Sequence, residues 1–94
     1  MNLNPLDPLL HSQLRLAVMS ILLSTEQADF VYLKEKTEAT AGNLSVQIEK
    51  LSNAGYITIS KSFKGKRPNT SCKITKKGIT AFESYVKNLR GYID

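Results

Sequence analysis

The stretch that decides the fold is LKEKTEATAGNLSVQIEKLSNAGYITISKSFKGKRPNTSCKIT, residues 33–75. Within it, Thr40 is a residue type that caps helices, and apolar residues then recur at positions i, i+4 and i+7, which places them on one helix face. These apolar residues are Leu44, Ile48 and Leu51. The pair Ala54-Gly55 supplies the left-handed residue that commonly ends helices. The pattern therefore predicts a helix from Thr40 to about Ala54.

The residues that follow change to the chemistry of a β-hairpin. Apolar and β-branched residues alternate with polar ones on both sides of a loop that Gly65 and Pro68 mark. The residues that carry this strand pattern are Tyr56, Ile57, Ile59, Cys72 and Ile74. We therefore expect two antiparallel strands with Gly65 at the tip of the hairpin.

Helical patterns flank this stretch on both sides. From Ser12 to about Ser24 an apolar face repeats at helical spacing, and Phe30 to Thr37 fits a short second helix with a strand stub at Ala28 to Phe30 before it. Thr75 opens a last helix whose apolar positions follow the 3-4-3-4 spacing of a coiled-coil seam. These positions are Ile79, Phe82, Val86, Leu89 and Ile93.

The order helix, helix, helix, hairpin, helix predicts an α+β, mainly helical fold: a winged helix-turn-helix with a three-helix core, a β-hairpin wing and a C-terminal helix. Ninety-four residues with 41% hydrophobic content fit one core. We expect residues 1–94 to form a single winged-helix DNA-binding domain, in which residues 76–94 are a C-terminal helix used for dimerisation.

The positive charge of the chain is concentrated in one place. The formal net charge is +5, and seven of the thirteen Lys and Arg residues lie between Lys61 and Lys77, where there is no Asp or Glu. Such a local cluster favours a polyanionic partner more strongly than the total charge does. We interpret it as a surface for duplex DNA. The alternative is a hairpin whose lysines only protect its edge from aggregation.

Other classes of function lack the residues that they need. The single cysteine, Cys72, and the single histidine, His11, are too far apart in sequence to suggest a zinc site. The chain shows no nucleophile with its base, no paired carboxylates and no glycine-rich phosphate loop. It also shows no signal peptide and no apolar segment of membrane length. We expect a cytoplasmic protein that is not an enzyme, does not bind membranes and needs no metal or other cofactor.

The third helix carries a polar face opposite its apolar stripe. Asn and Gln amides can pair with adenine in the major groove, Val46 can pack against a thymine methyl group, and Lys50 can reach guanine or a phosphate. A glycine and two hydroxyl groups near the helix start suit a close approach to a phosphate. The predicted DNA-contacting residues of this helix are Thr40, Gly42, Asn43, Ser45, Val46, Gln47 and Lys50. An ordinary solvated helix face is the alternative, but it gives no reason for an exposed Val46.

The hairpin loop is the second predicted contact with DNA. Its thin tip could lie along a minor groove, with Arg67 in the groove and lysines on the flanking phosphates. The predicted wing residues are Lys64, Lys66, Arg67 and Asn69.

The last helix is longer than the face that a core of this size offers. It spans about 27 Å at 1.5 Å per residue, so its far end should project. The residues expected to contact a second copy are Val86, Leu89 and Ile93, flanked by Tyr85 and Tyr92. The alternative is a helix folded wholly onto its own core.

Short motifs are distributed along the chain from about Leu14 to Leu89. They are Gly42-Asn43-Leu44-Ser45, Lys50-Leu51 with Ala54-Gly55-Tyr56-Ile57, the wing residues Phe63, Gly65, Arg67-Pro68 and Thr70, and then Thr75 and Gly78. In this combination the chain resembles small winged-helix transcriptional regulators, the single-domain relatives of the MarR and ArsR groups. The resemblance implies that the helix from Thr40 is the recognition helix, that residues 64–69 form the wing and that the protein works as a homodimer. The chain lacks the extra terminal helices of full-length MarR-type proteins and the metal ligands of ArsR-type sensors, so no small-molecule effector is implied.

These observations together predict a sequence-specific, double-stranded DNA-binding transcriptional regulator that acts as a homodimer. A winged-helix adaptor for protein–protein interactions, without specific DNA binding, is the alternative. Binding of RNA or single strands has less support, because stacking platforms need clustered aromatic residues and only Phe63 lies near the cations.

Overall fold

The structure is a computed structural model, and it describes residues 3–94. Its elements are α1 (Gln13–Thr25), β1 (Gln27–Asp29), α2 (Phe30–Thr37), α3 (Ala41–Asn53), β2 (Ile57–Lys64), β3 (Arg67–Ile74) and α4 (Lys76–Ile93). This is the predicted order, and the strand stub before the second helix lies one residue earlier than expected. The architecture is that of a winged helix.

Threonine side chains begin the two helices that border the hairpin. The Thr40 hydroxyl accepts a hydrogen bond from the backbone N–H of Asn43 at 3.2 Å, and the Thr75 hydroxyl accepts one from the N–H of Gly78 at 3.0 Å. Each bond satisfies an N–H group that has no partner inside its helix. After α3 the chain turns at Gly55, whose φ of +81° is readily adopted only by glycine.

The sheet has three antiparallel strands in the order β1-β3-β2. Strands β2 and β3 pair from Ile57–Ile74 out to Lys64–Arg67, and a two-residue turn at Gly65-Lys66 joins them. Strand β1 pairs only with residues 71–73 on the other edge of β3. Because β1 supports only the inner part of β3, the outer part of the hairpin is a two-stranded ribbon, which is the wing.

The core lies between the helices and the inner part of the sheet. Helix α1 contacts α2, α3, α4, β1 and β3, so it lies at the centre of the domain. The fully buried large side chains are Leu10, Val18, Met19, Leu22, Leu33, Leu44, Leu51, Ile57 and Cys72. Burying each Leu, Val or Ile side chain contributes about 1.5–3 kcal/mol. The predicted apolar stripe of α3 is thus part of the core.

The packing of α4 agrees with the prediction at its near end and differs from it at Tyr85. The residues of α4 that are buried are Gly78 and Tyr85, and Tyr85 is only 4% exposed. A Cβ atom at Gly78 would lie 2.2 Å from the carbonyl oxygen of Tyr56, so the helix can approach the start of β2 only because this residue is glycine. The expectation that Tyr85 flanks a contact with a second copy is therefore wrong. The prediction that the near end of the seam packs on the domain is confirmed, because Ile79 and Phe82 pack against the core. Leu89 also packs partly against the core, Val86 is half-buried and Ile93 is exposed.

The residues before α1 run alongside α4. Tyr92 donates its hydroxyl proton to the carbonyl oxygen of Asn4 at 2.8 Å, and the Asn4 amide donates to Asn88 Oδ1 at 3.2 Å. Farther along, the Tyr56 hydroxyl donates to Asp7 Oδ2 at 2.5 Å. One side of the distal part of α4 is therefore covered by the chain itself. Within residues 3–94, no helix has both the length and the apolar character needed to cross a membrane.

Candidate nucleic-acid interface

The outward face of α3 is the first part of the candidate interface. Of the residues predicted to contact DNA on this helix, Gln47 is half-buried and the others are exposed. Val46 is 50% exposed, so its branched apolar side chain meets solvent as predicted. The position of Gly42 is open, because a Cβ atom built there would meet nothing within 4 Å. The helix therefore presents amide, methyl and ammonium groups around a point where another molecule can come close to its N-terminal turn.

An open cleft separates α3 from the inner face of the hairpin. Its lining comes from α2, α3, β2 and β3, and consists of Phe30, Ser45, Ile48, Glu49, Ile59, Lys61 and Thr70. Ser45 and Lys61 thus border the same space, which makes the surfaces of the helix and the wing continuous. Lys61 and Glu49 were not among the predicted site residues. Alternation along β2 from the buried Ile57 could have identified Lys61, because alternate residues of a strand share a face.

The pairing of β2 with β3 divides the wing into two faces. The pairs on the cleft side are Ile59–Cys72, Lys61–Thr70 and Phe63–Pro68, and those on the opposite side are Ser62–Asn69 and Lys64–Arg67. Three of the four predicted wing residues therefore lie on the side away from the cleft, and Lys66 lies in the turn. Phe63 is 72% exposed on the cleft side. The predicted residues belong to the wing but do not form one contiguous set.

One carboxylate holds two of these wing residues. Lys64 Nζ lies 2.7 Å from Asp29 Oδ2, and the Asn69 amide donates to Asp29 Oδ1 at 3.4 Å. The hydrogen bond from Lys64, followed by that from Asn69, lowers the pKa of Asp29 below its ordinary value of 3.8. Because Lys64 and Asp29 are both accessible to solvent, their pair adds little to stability. The pair does place the Lys64 ammonium next to Asp29, the residue immediately before α2.

A hydrogen-bonded chain connects α1 to the outward face of α3. Arg15 donates from Nη1 to Gln47 Oε1 and from Nε to the carbonyl oxygen of Leu9, at 2.6 Å in the second case. Gln47 Nε2 in turn donates to Asn43 Oδ1 at 3.0 Å. Arg15 was not predicted as part of the site. The sequence offers one signal for it, since Arg15 interrupts the apolar stretch of α1.

The family of the chain follows from comparison with known proteins. Residues 14–93 match the family described as the winged helix DNA-binding domain. The chain belongs to this family. The match covers α1 through α4, so both halves of the candidate interface lie inside this winged helix DNA-binding domain.

Other proteins similar to this winged-helix chain include archaeal examples. An uncharacterized protein of Methanocaldococcus jannaschii is 38% identical over 76 residues, which cover 81% of this chain and 83% of that protein. The structure of a transcriptional regulator homologue from Pyrococcus horikoshii OT3 has a TM-score of 0.85 at 29% identity, covering 92% of this chain and 85% of that one.

The fold is also that of MarR-family regulators. A mutant of MarR from E. coli, solved in complex with operator DNA, has a TM-score of 0.70 at 19% identity. The similarity covers 84% of this chain but 54% of the MarR chain, so the winged-helix protein spans about half the length of that regulator. The part that the two proteins share is therefore the fold of the winged helix.

The winged helix thus brings together most of what the sequence predicted, in two adjoining patches. The α3 face and the cleft side of the hairpin form one patch, and the wing turn with the opposite face of the ribbon forms the other. The polar groups of the first patch suit base edges, while the cations of the second suit phosphates. Whether these residues contact DNA stays a prediction.

Proposed function

We propose that this winged-helix protein is a sequence-specific, double-stranded DNA-binding transcriptional regulator that acts as a homodimer. The observation that carries the proposal is the continuity between an exposed, polar helix face and a cationic hairpin, across the cleft bordered by Ser45 and Lys61. A helix for the major groove next to a basic ribbon is the arrangement that winged helices use to bind a duplex. Such a function places the protein in the cytoplasm with the DNA.

Helix α3 enters the major groove in this proposal. The groove is wide enough for an α-helix, and the exposed residues of α3 offer what the groove can read. Val46 packs against a thymine methyl group, Lys50 reaches a guanine or a phosphate, and Asn43 faces a base edge. The Gly42 position lets the N-terminal turn of the helix approach a phosphate, where its free N–H groups and the helix dipole favour an anion.

The wing lies along the flanking backbone or the adjacent minor groove. A ribbon two strands wide meets phosphates on both of its sides, so residues from both faces of the wing can contribute. Lys66 and Arg67 at the tip are exposed. Arg67 enters the minor groove, where a narrow A·T-rich segment focuses negative potential. When DNA binds, the Lys64 ammonium leaves the Asp29 carboxylate and contacts a phosphate instead.

The distal part of α4 supplies the contact with a second copy. Val86 and Leu89 are half-buried within one chain, and Ile93 is 73% exposed. These three residues form an apolar stripe along α4, of which Leu89 also packs partly against the core. Pairing two stripes removes this apolar surface from water. It also presents two copies of α3 to half-sites roughly one helical turn, about 10 bp, apart.

Selection from a random pool of duplexes tests the proposal. We expect the wild-type protein to enrich a two-fold symmetric motif whose half-sites lie about 10 bp apart, and Asn43→Ala to reduce the sequence preference. Lys66→Ala should weaken binding to all duplexes alike, because a phosphate contact carries no sequence information. Lys87→Ala, a cation of α4 away from the proposed interface, is the matched control.

Failure to enrich any motif would contradict the assigned sequence specificity. Binding of a protein partner that is insensitive to salt and needs no nucleic acid would favour the adaptor function instead.

A further inference from the structure

The hydrogen bonds that link Arg15, Gln47 and Asn43 run in one donor-to-acceptor direction, which the chemistry of the side chains determines. An arginine side chain has only donors, so the atom of Gln47 that faces Arg15 must be its oxygen. The Gln47 amide nitrogen then points the other way and needs an acceptor, which is Oδ1 of Asn43 at 3.0 Å. The amide of Asn43 is therefore turned so that its oxygen accepts from Gln47 on the exposed face of α3, which leaves its N–H groups available as donors.

Arg15 is itself held in place from a second side. Its Nε donates to the carbonyl oxygen of Leu9 at 2.6 Å, and the Leu9 N–H donates to Asp7 Oδ1 at 2.9 Å. The guanidinium group thus bridges the turn before α1 and the side chain of Gln47. A side chain with two directional contacts loses little further freedom when a ligand binds, so it can act as a fixed reference for the residues attached to it.

We propose that Arg15 is a positioning residue for sequence recognition. Through Gln47, it turns Asn43 so that this side chain presents N–H donors to the major groove rather than a donor–acceptor pair. Guanine offers two acceptors there, N7 and O6, whereas adenine offers one acceptor beside an N–H donor. Asn43 therefore selects guanine over adenine at the base that it contacts. This inference rests on the proposed function, and it revises the expectation that Asn43 pairs with adenine.

Two substitutions test the donor-to-acceptor direction of these hydrogen bonds. Arg15→Met keeps a long side chain but removes every donor, so it frees Gln47 and Asn43 to rotate. Gln47→Glu keeps an acceptor for Arg15 but removes the donor to Asn43, so Asn43 should turn its nitrogen toward Glu at this position and its oxygen toward the DNA. The second variant retains the contact with Arg15, so it remains informative if Arg15→Met does not fold.

The measurement is binding to a selected duplex and to versions with the Asn43-contacted base pair exchanged, over a series of salt concentrations. We expect the wild type to prefer guanine over adenine on the order of tenfold. Arg15→Met should bring this ratio near one without changing the salt dependence, and Gln47→Glu should reverse the preference toward adenine. Lys87→Met, which removes an exposed cation of α4, should leave the ratio unchanged.

Different results overturn different statements. If the wild type selects a motif but both variants keep its base preference, Arg15 does not position Asn43 and only this inference fails. If Arg15→Met weakens all duplexes equally and lowers the salt slope by about 0.9, Arg15 contacts a phosphate directly and this inference also fails. A wild-type preference for adenine at this base contradicts the assigned direction of the amide. If the wild type selects no motif, the proposed function fails and this inference fails with it.

Discussion

At the scale of single residues, two of the helical glycines, Gly42 and Gly78, differ in what surrounds them. A Cβ atom at Gly78 would collide with the backbone of Tyr56, whereas a Cβ atom at Gly42 would enter open space. Gly78 is therefore required for packing α4 against the start of β2. No packing contact within the domain requires Gly42 to be glycine, which is consistent with the proposed approach of a phosphate at this position.

Replacing Gly42 with Ala separates stability from DNA binding. Alanine is favoured over glycine in helices, so the free energy of unfolding should rise by at most about 1 kcal/mol. Affinity for duplex DNA should nevertheless fall on the order of tenfold, or about 1.4 kcal/mol, because the added methyl group lies where we place a phosphate. Urea denaturation and duplex titration measure the two effects. Gly78→Ala is the control and should lose stability by about 1–3 kcal/mol. Unchanged duplex affinity in Gly42→Ala would remove Gly42 from the interface.

The buried thiol of Cys72 gives the protein a predictable dependence on alkaline pH. Burial raises the pKa of Cys72 from 9.0 to about 11. Because the folded state keeps its proton longer than the unfolded state does, the associated stability is complete below pH 9 and is lost as the pH rises toward 11. Denaturation at pH 8 and at pH 10.5 should therefore show a larger loss for the wild type than for Cys72→Ala. Equal losses would show that the thiol is not protected by burial.

At the scale of elements, the sequence was sufficient wherever local signals agree. The cap at Thr40, the apolar stripe of α3 and the glycine after it define this helix without reference to the rest of the fold, and the structure confirms all three. The orientation of α4 depends instead on a glycine and on Tyr85, which an apolar count does not weigh. The periodicity therefore predicted the helix and the packing of Ile79 and Phe82 on the core, but it did not identify Tyr85 as a core residue.

The Lys64 ammonium on the wing lies 2.7 Å from the Asp29 carboxylate, so we predict that Asp29 competes with DNA for it. In Asp29→Asn the charge that competes for the Lys64 ammonium is removed, while the amide can still bond with Asn69. We expect tighter duplex binding at low salt and a log–log salt slope that is steeper by up to about 0.9, which is one additional phosphate contact. Adding Lys64→Ala should abolish both gains. A slope that equals that of the wild type would show that Asp29 does not hold Lys64 back from DNA.

At the scale of the whole molecule, the parts of the site that the sequence could not show are those that join distant elements. Arg15 and Gln47 are 32 positions apart, and Lys64 and Asp29 are 35 positions apart. Nothing in the local sequence around any of these residues indicates its partner. The packing of α1 on α3 brings Arg15 to Gln47, and the pairing of β1 beside the hairpin brings Asp29 to Lys64. The clustered positive charge in the sequence therefore predicted a polyanionic partner, but the arrangement of the contacting side chains could be seen only in the tertiary structure.

The proposed dimer is tested most cleanly at Ile93. Leu89 packs partly against the core, so a charge there would also disturb the monomer. Ile93 is 73% exposed, and Ile93→Asp should dissociate the dimer with little change in the monomer's thermal stability. Ser84→Asp introduces the same charge at an exposed position of α4 away from the apolar stripe, so it should leave the dimer intact. Sedimentation equilibrium measures both, and a dimeric Ile93→Asp variant would place the contact elsewhere.

The central claim is that the polar face of α3 and the cationic wing together form a surface for duplex DNA. Its most direct test is a fluorescence-anisotropy titration of the wild-type protein with a labelled duplex, repeated over a series of salt concentrations. If Lys50 and Lys66 each neutralise one phosphate, the logarithm of the association constant should fall with the logarithm of the salt concentration with a slope of about −1.8 or steeper. A slope near zero, or no binding to any duplex in dilute buffer, would contradict the claim.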